Sequence, residues 1–292
     1  MKSRNFAKPF RIADGTKFRL KDFDPSETLE LKSKEHAQEA LQHGISRLAE
    51  LQETLFAQDR WAILIILQAM DAAGKDSTIK HVMSGVNPQG CHVTSFKTPS
   101  EEDLNHDFLW RAMRLLPERG NIGIFNRSYY EETLVVRVHP EVMAHEKLPG
   151  RLISGNVWQD RFEDINNYER YLSRNGIVIV KFFLNVSKNE QKKRFLERLD
   201  EPEKNWKFSA SDVLERDHWD EYMRAYEDMI RNTSTKSAPW YVVPADHKWF
   251  TRLAVAESII TALEKLDLSY PKMDSEKRND LKKAEKALQR EK

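Results

Sequence analysis

The stretch WAILIILQAMDAAGKDSTIKHVM, residues 61–83, decides the fold. Trp61 to Leu67 form an unbroken apolar run, the pattern of a strand buried on both faces. From Lys75 onward the spacing turns helical. Between the two lies the pair Gly74-Lys75. A glycine–lysine pair between a buried strand and a helix is where a phosphate cradle belongs. Backbone N–H groups point inward, the helix N-terminus adds positive potential, and the lysine reaches a phosphoryl group. The match to G-x-x-x-x-G-K-[ST] is incomplete: Ala69 stands for the first glycine and Asp76 for the Ser/Thr, with Ser77 and Thr78 following. An ordinary strand–helix turn is the competing reading. Asp71 would repel phosphate unless a cation sits between them. That makes it a candidate Mg²⁺ ligand, or a base that orients an acceptor oxygen; a turn-capping aspartate is the plainer alternative.

Outward from this stretch, further short apolar runs read as strands: 91–96, 121–126, 176–184 and 240–244. Helical patterns separate them, at 75–85, 101–115, 154–174, 187–199, 211–232 and 247–266, and a long helix at 33–58 precedes the first strand. Strands alternating with helices predict a parallel sheet with helices on both faces. The chain divides into an extended N-terminal arm (1–32), one α/β domain (33–271) and a charged tail (272–292) that is at best a solvated helix. Asn126, Arg127 and Ser128 leave a strand at the edge where open α/β sheets bind ligands. An arginine there can stabilise charge on a transferring phosphoryl group, or merely bridge to a carboxylate. Glu131 follows five residues after Asn126, and Tyr129 and Tyr130 read as core packing.

Of 292 residues, 47 are Lys or Arg and 46 Asp or Glu. This balance hides a partition. Residues 1–23 hold seven basic and two acidic residues, 272–292 hold eight and five, and the body between them holds 32 and 39. An acidic body without stacking motifs argues against a nucleic-acid binder. Within it, residues 77–100 contain no carboxylate but do contain Lys80, His81, His92 and Lys97, a candidate anion track. The lone cysteine, Cys91, excludes an internal disulfide and suits a reducing, cytoplasmic setting. No apolar signal segment or membrane span is expected. Ser187 and Glu190 have capping-box spacing. Arg194 and Arg198, four apart, could clamp a polyanion from a lid, or pair with acids such as Glu197 on a solvated helix. Lys248 follows the last strand at the ligand edge, beside Asp246.

Four ordered segments resemble the polyphosphate kinase 2 family: MDAAGKDSTIKHVMSGVNPQG (70–90), IFNRSYYEETLVVRVHPE (124–141), the stretch from Lys192 to Ile230, and APWYVVPADHKWFTRLAV (238–255). The resemblance spans about residues 15 to 270. It implies a three-layer α/β/α phosphate-loop kinase with a five-stranded parallel sheet, similar to thymidylate kinase, with a helical lid at about 187–215. It implies Mg²⁺-dependent transfer (Mn²⁺ being possible) between inorganic polyphosphate and AMP, ADP or ATP, and a dimer or tetramer. Asn126 with Glu131 resembles the class III members, which accept AMP as well as ADP, and Ala69 and Asp76 are familiar in that subgroup. The resemblance assigns Asp71, Lys75, Arg127, Arg194 and Arg198 to catalysis. Ala72, Ala73, Gly74, Asp76, Ser77, Asn126, Ser128 and Glu131 fall to nucleotide and phosphate binding. Lys80, His81 and Lys97 of the carboxylate-free stretch, with Arg137 and Lys248, are expected to hold the polymer, and Asp71 the metal. Trp206, Lys207 and Phe208 would seat the lid. An ATP-dependent nucleoside monophosphate kinase of the same fold is the nearest rival.

Overall fold

A computed structural model of the chain describes residues 6–31, 34–153 and 155–291. Residues 1–5, 32, 33, 154 and 292, and the side chains of Lys204, Lys207 and Ala210, lie outside the described set, and with them the ends of the arm and tail readings. Six strands form one sheet: β1 (Arg11–Ile12), β2 (Ala62–Gln68), β3 (Cys91–Ser95), β4 (Ile122–Asn126), β5 (Ile177–Asn185) and β6 (Trp240–Pro244), in the order β1-β6-β5-β2-β4-β3. β2 lies at the centre and every one of its residues is buried, which is why its sequence runs apolar without alternation.

The five strands read from the sequence run parallel. The expected five-stranded parallel sheet is nevertheless one strand short. Arg11 and Ile12 pair antiparallel with Tyr241 and Trp240, so the sheet is mixed. A two-residue strand carries no period, and only its placement against β6 reveals it. The arm lies on the body: Phe10 and Phe18 are buried, and the Phe10 ring meets Phe250 edge-on at 5.8 Å.

The longer helices are α1 (Lys34–Gln58), α2 (Lys75–Val82), α3 (Val157–Arg174), α4 (Lys188–Asp200), α5 (Trp219–Thr233), α6 (Lys248–Glu264) and α7 (Ser275–Leu288). α1, α2 and α6 pack together on one face of the sheet, and α3 and α5 on the other. α7 is exposed throughout. Two predicted helices are interrupted. The 101–115 pattern forms only Glu101–Leu104 and Trp110–Met113, because Asp107 Oδ1 accepts from Leu109 N and offers the backbone a turn instead. The 211–232 pattern breaks at a 3₁₀ turn, Glu215–His218. Among the described residues, no helix is long and apolar enough to cross a membrane.

The register aligns Leu67 with Asn126, Asn126 with Ser95, Gln68 with Phe183 and Asn185 with Pro244. The carboxyl ends of all five parallel strands therefore deliver their exit loops to one edge. Phe10→Ala should remove the ring that docks the arm and destabilise the protein by about 3–5 kcal/mol, read from chemical denaturation.

Candidate active site

The loop from Ala69 to Gly74 leaves β2 and enters α2. Gly74 sits at φ +109°, in the left-handed region that glycine adopts freely. Ala72 (φ +60°) and, across the edge, Arg127 (φ +64°) adopt it without that freedom. Such residues cost of the order of 1–3 kcal/mol each and cluster at functional sites. Arg127 N still donates to Leu67 O at 3.0 Å, so the ladder runs to Arg127 and the left-handed turn begins there.

Lys75, Asp71, Arg127 and Glu131 form the centre. The buried Lys75 ammonium donates to Ala69 O at 2.8 Å and Met70 O at 3.4 Å. Arg127 Nη2 donates to Asp71 Oδ1 at 2.6 Å, and its Nη1 lies 3.9 Å from Glu131 Oε2. Burial pushes the Asp71 carboxyl up, but Lys75, Arg127 and the more distant Arg198 outweigh it and hold the group below its ordinary range. Burial lowers the Lys75 pKa, with Asp71 opposing. Burial raises that of Glu131, against the pull of Arg127 and Lys75.

The other predicted residues divide. Asn126 Nδ2 donates to Asp76 Oδ1 at 2.8 Å, so the aspartate that stands for the loop's Ser/Thr is tied to the exit of β4. Ser77 Oγ accepts from Arg252 Nη2 at 2.8 Å. Ser128 is fully buried and its Oγ accepts from Tyr130 N, capping the turn rather than facing the edge. Arg194 is also buried, and backbone carbonyls take its guanidinium. Arg198 remains half-buried, its guanidinium 5.5 Å from the centre of the Phe195 ring. The capping box is half-formed. Ser187 Oγ accepts from Glu190 N, but Ser187 N donates to Asp246 Oδ1 while Glu190 turns to Arg194.

The five polymer candidates do not form one track. Lys97 lines a cleft of about 260 Å³ together with Arg127 and Glu131. Lys80 and His81 lie in the last turn of α2, outside that cleft, with His81 Nδ1 on Ser77 O at 2.8 Å. Arg137 pairs with Asp228 at 2.6 Å and lines a separate groove beside α5. Lys248 is exposed at the start of α6.

The cleft opens between the exits of β3 and β4. Phe96, Phe108, Val135 and Val136 give it an apolar wall, and Arg127 and Glu131 charge its inner end. Arg111, Glu132 and Glu146 line the same cleft; Arg161 pairs with Glu132 and Glu146, and the Arg111 guanidinium lies 5.4 Å from the Phe96 ring centre. Burial and the neighbouring Glu146 push the Glu132 carboxyl up to about 7. The sequence reading missed this quartet, as it missed Gln191, whose Nε2 donates to Asp71 O at 2.9 Å. A signal for Gln191 existed: it lies three residues before Arg194, on the same helical face.

Among the described residues, no three His, Cys, Asp or Glu side chains gather into a metal cage. Mg²⁺ needs none, since it usually keeps waters and takes one or two carboxylates plus substrate phosphates. Asp71, held ionised at the mouth of the loop, fits that requirement.

A strand-to-helix loop with a buried lysine, an arginine at the neighbouring strand's exit and a cleft beside both defines a phosphate-loop phosphotransferase. The model of the family described as polyphosphate kinase 2 matches residues 31–271. The chain is 52% identical over 275 residues to the ADP-polyphosphate phosphotransferase of Rhodopseudomonas palustris, covering 94% of this chain and 95% of that one. It is 45% identical over 269 residues to the AMP/ADP-polyphosphate phosphotransferase of Meiothermus ruber, covering 92% and 97%. The crystal structure of polyphosphate kinase 2 from Arthrobacter aurescens TC1 superposes with a TM-score of 0.86 at 40% identity, covering 96% of each chain. The chain therefore belongs to the polyphosphate kinase 2 family and is a transferase.

The Asn126–Asp76 pair makes a direct prediction. Asn126→Asp would set two carboxylates against each other, each raising the other's pKa. Phosphoryl-transfer activity at neutral pH should fall about tenfold, the equivalent of one pKa unit of repulsion. It should recover as the pH is lowered, because protonation removes the clash. Comparing kcat against pH for variant and wild type checks this; superimposable profiles would contradict it.

Proposed function

We propose that this protein transfers the terminal phosphoryl group of inorganic polyphosphate to AMP and ADP by direct in-line displacement. The observation that carries the reading is the convergence of Lys75, Asp71 and Arg127 at the head of a cleft with an apolar wall. The cleft suits a nucleoside, with its phosphates directed to Arg127 and Glu131. The loop and Lys75 suit the end of the polymer. Both relatives carry polyphosphate in their names, and they differ in the acceptors named, ADP for one and AMP/ADP for the other.

Phosphoryl transfer asks for positioning and charge stabilisation rather than covalent chemistry by the protein. Lys75 has three N–H donors; with two on Ala69 O and Met70 O, the remaining one would turn to the transferred group. Arg127 would spread its charge over the equatorial oxygens while Asp71 keeps its guanidinium aligned. A divalent cation, Mg²⁺ or Mn²⁺, would neutralise phosphate charge with Asp71 as its protein ligand. Glu131 and the Asn126–Asp76 pair set the acceptor end, where a neutral Asn126 repels an incoming phosphate less than an aspartate would. The segment beyond Phe195 acts as a lid carrying Arg198. Its exposed Leu196, Leu199, Trp206, Val213 and Leu214 fit a surface that becomes covered on closure. The enzyme works in the cytoplasm, as a dimer or tetramer.

The test is donor dependence. Incubation with ADP, Mg²⁺ and polyphosphate, without ATP, should yield ATP, and AMP should yield ADP. Product formed only with ATP as donor would instead identify a nucleoside monophosphate kinase. Lys75→Ala should lower kcat by about 10²–10³-fold, and the KM for polyphosphate should rise with salt. Initial rates across a salt series check both.

A further inference from the structure

The phosphate loop has an outer side as well as an inner one. For its N–H groups to face a ligand, its carbonyls must face away and find donors elsewhere. Five consecutive carbonyls are taken by three side chains. Lys75 Nζ serves Ala69 O and Met70 O. Gln191 Nε2 serves Asp71 O at 2.9 Å. Arg194 Nη1 serves Ala72 O at 3.1 Å and Ala73 O at 2.8 Å. The same guanidinium reaches across the edge, where Nη2 donates to Ala245 O at 2.6 Å and Asp246 O at 3.0 Å. Its Nε donates to Glu190 Oε1 at 2.9 Å. A guanidinium has five N–H bonds, and all five are used here. Gln191 is itself oriented, its Oε1 accepting from Arg216 Nη1 at 2.6 Å.

We infer that Arg194 is a positioning residue that braces the phosphate loop against the exit of β6, and not a lid cation that reaches the phosphates. Its side chain is 3% exposed, and swinging it toward a substrate would strip four backbone carbonyls of their donor. Leaving such groups buried and unmet costs about 1–3 kcal/mol each. The first turns of α4, through Phe195, therefore belong to the rigid body of the loop, and the moving part of the lid begins after them. The left-handed Ala72 lies between the carbonyls that Gln191 and Arg194 hold, so the brace also maintains the loop's strained turn. The inference rests on the transfer reaction proposed above for its kinetic readout, but not for its structural one.

Arg194→Lys keeps the charge and loses the planar five-donor fork. We expect kcat to fall about a hundredfold, as a misplaced catalytic group would give. The KM for polyphosphate should stay within about twofold, with an unchanged slope of log KM against log salt, since no phosphate contact is lost. Arg198→Gln should instead raise that KM and flatten the slope. Amide hydrogen exchange across residues 69–76 should speed up in Arg194→Lys and not in Arg198→Gln. Wild-type kcat, a flattened salt slope or unchanged loop exchange in Arg194→Lys would each overturn the brace. If Arg194→Lys does not fold, Gln191→Leu frees only Asp71 O and should show the same pattern, smaller; unchanged exchange there would overturn it equally. If the wild type transfers nothing from polyphosphate, the exchange comparison still decides the brace, so the two failures are distinguishable.

Discussion

Lys181 sits in the middle of β5 with no exposed surface, and its ammonium joins four parts of the fold. It donates to Glu169 Oε2 on α3 at 2.6 Å, to Tyr130 OH at 2.9 Å and to Thr233 O at the end of α5 at 2.8 Å. The other Glu169 oxygen accepts from Tyr129 OH at 2.9 Å and Tyr130 OH at 2.7 Å. A buried pair is tolerable only when its remaining lone pairs and protons are satisfied, and here each carboxylate oxygen and all three ammonium protons are matched. Removing one partner would strand the other, at about 3–5 kcal/mol. The pair thus fixes where α3 and α5 sit on the sheet. It also fixes the turn Tyr129–Thr133 that follows Arg127, and so the backbone on which the strained Arg127 depends.

Two anchors therefore hold the site from opposite sides. The buried pair holds the exit of β4, which carries Arg127 and Glu131. The inner face of α4 holds the exit of β2, which carries Asp71 and Lys75. Both anchors are polar groups satisfied away from solvent, so each has one good geometry rather than many. Between them Asp71 and Arg127 meet at 2.6 Å without either lying on a rigid element of its own.

The parts legible in the sequence were those with a period or a motif. Five strands and the longer helices follow from runs and spacings, because burial in a layered α/β fold imposes exactly one face or two on each element. Gly74-Lys75 and Arg127 were legible for the same kind of reason: a turn residue and a cation at fixed distances from buried strands. The β1 pairing, the Gln191 and Arg194 contacts and the Arg161–Glu132–Glu146 group were not. They depend on contacts between residues far apart in the chain, such as Arg194 with Ala72 and Ala245. Arg194 and Arg198 show the limit well. Four-residue spacing puts both on one side of a helix, yet one is buried against carbonyls and the other is only half-buried, because the loop carbonyls meet the helix at Gln191 and Arg194 and not one turn further on.

The charge partition takes a local form at the site. Lys75, Arg127 and Arg198 stand against Asp71, Asp76 and Glu131, and the carboxylates are not idle. Asp71 aligns Arg127, and Asp76 is held by Asn126. A site with three cations and three carboxylates is close to neutral, while both proposed substrates are strongly anionic. The hold on a bare polyanion therefore rests on the individual cations it meets, and the carboxylates beside them offset part of the gain. In the proposed reaction a divalent cation held by Asp71 would supply positive charge beside Asp76 and Glu131. The carboxylates that repel a bare polyanion would then favour a metal-bound one, so that acidic residues as much as basic ones would set selectivity among polyanions.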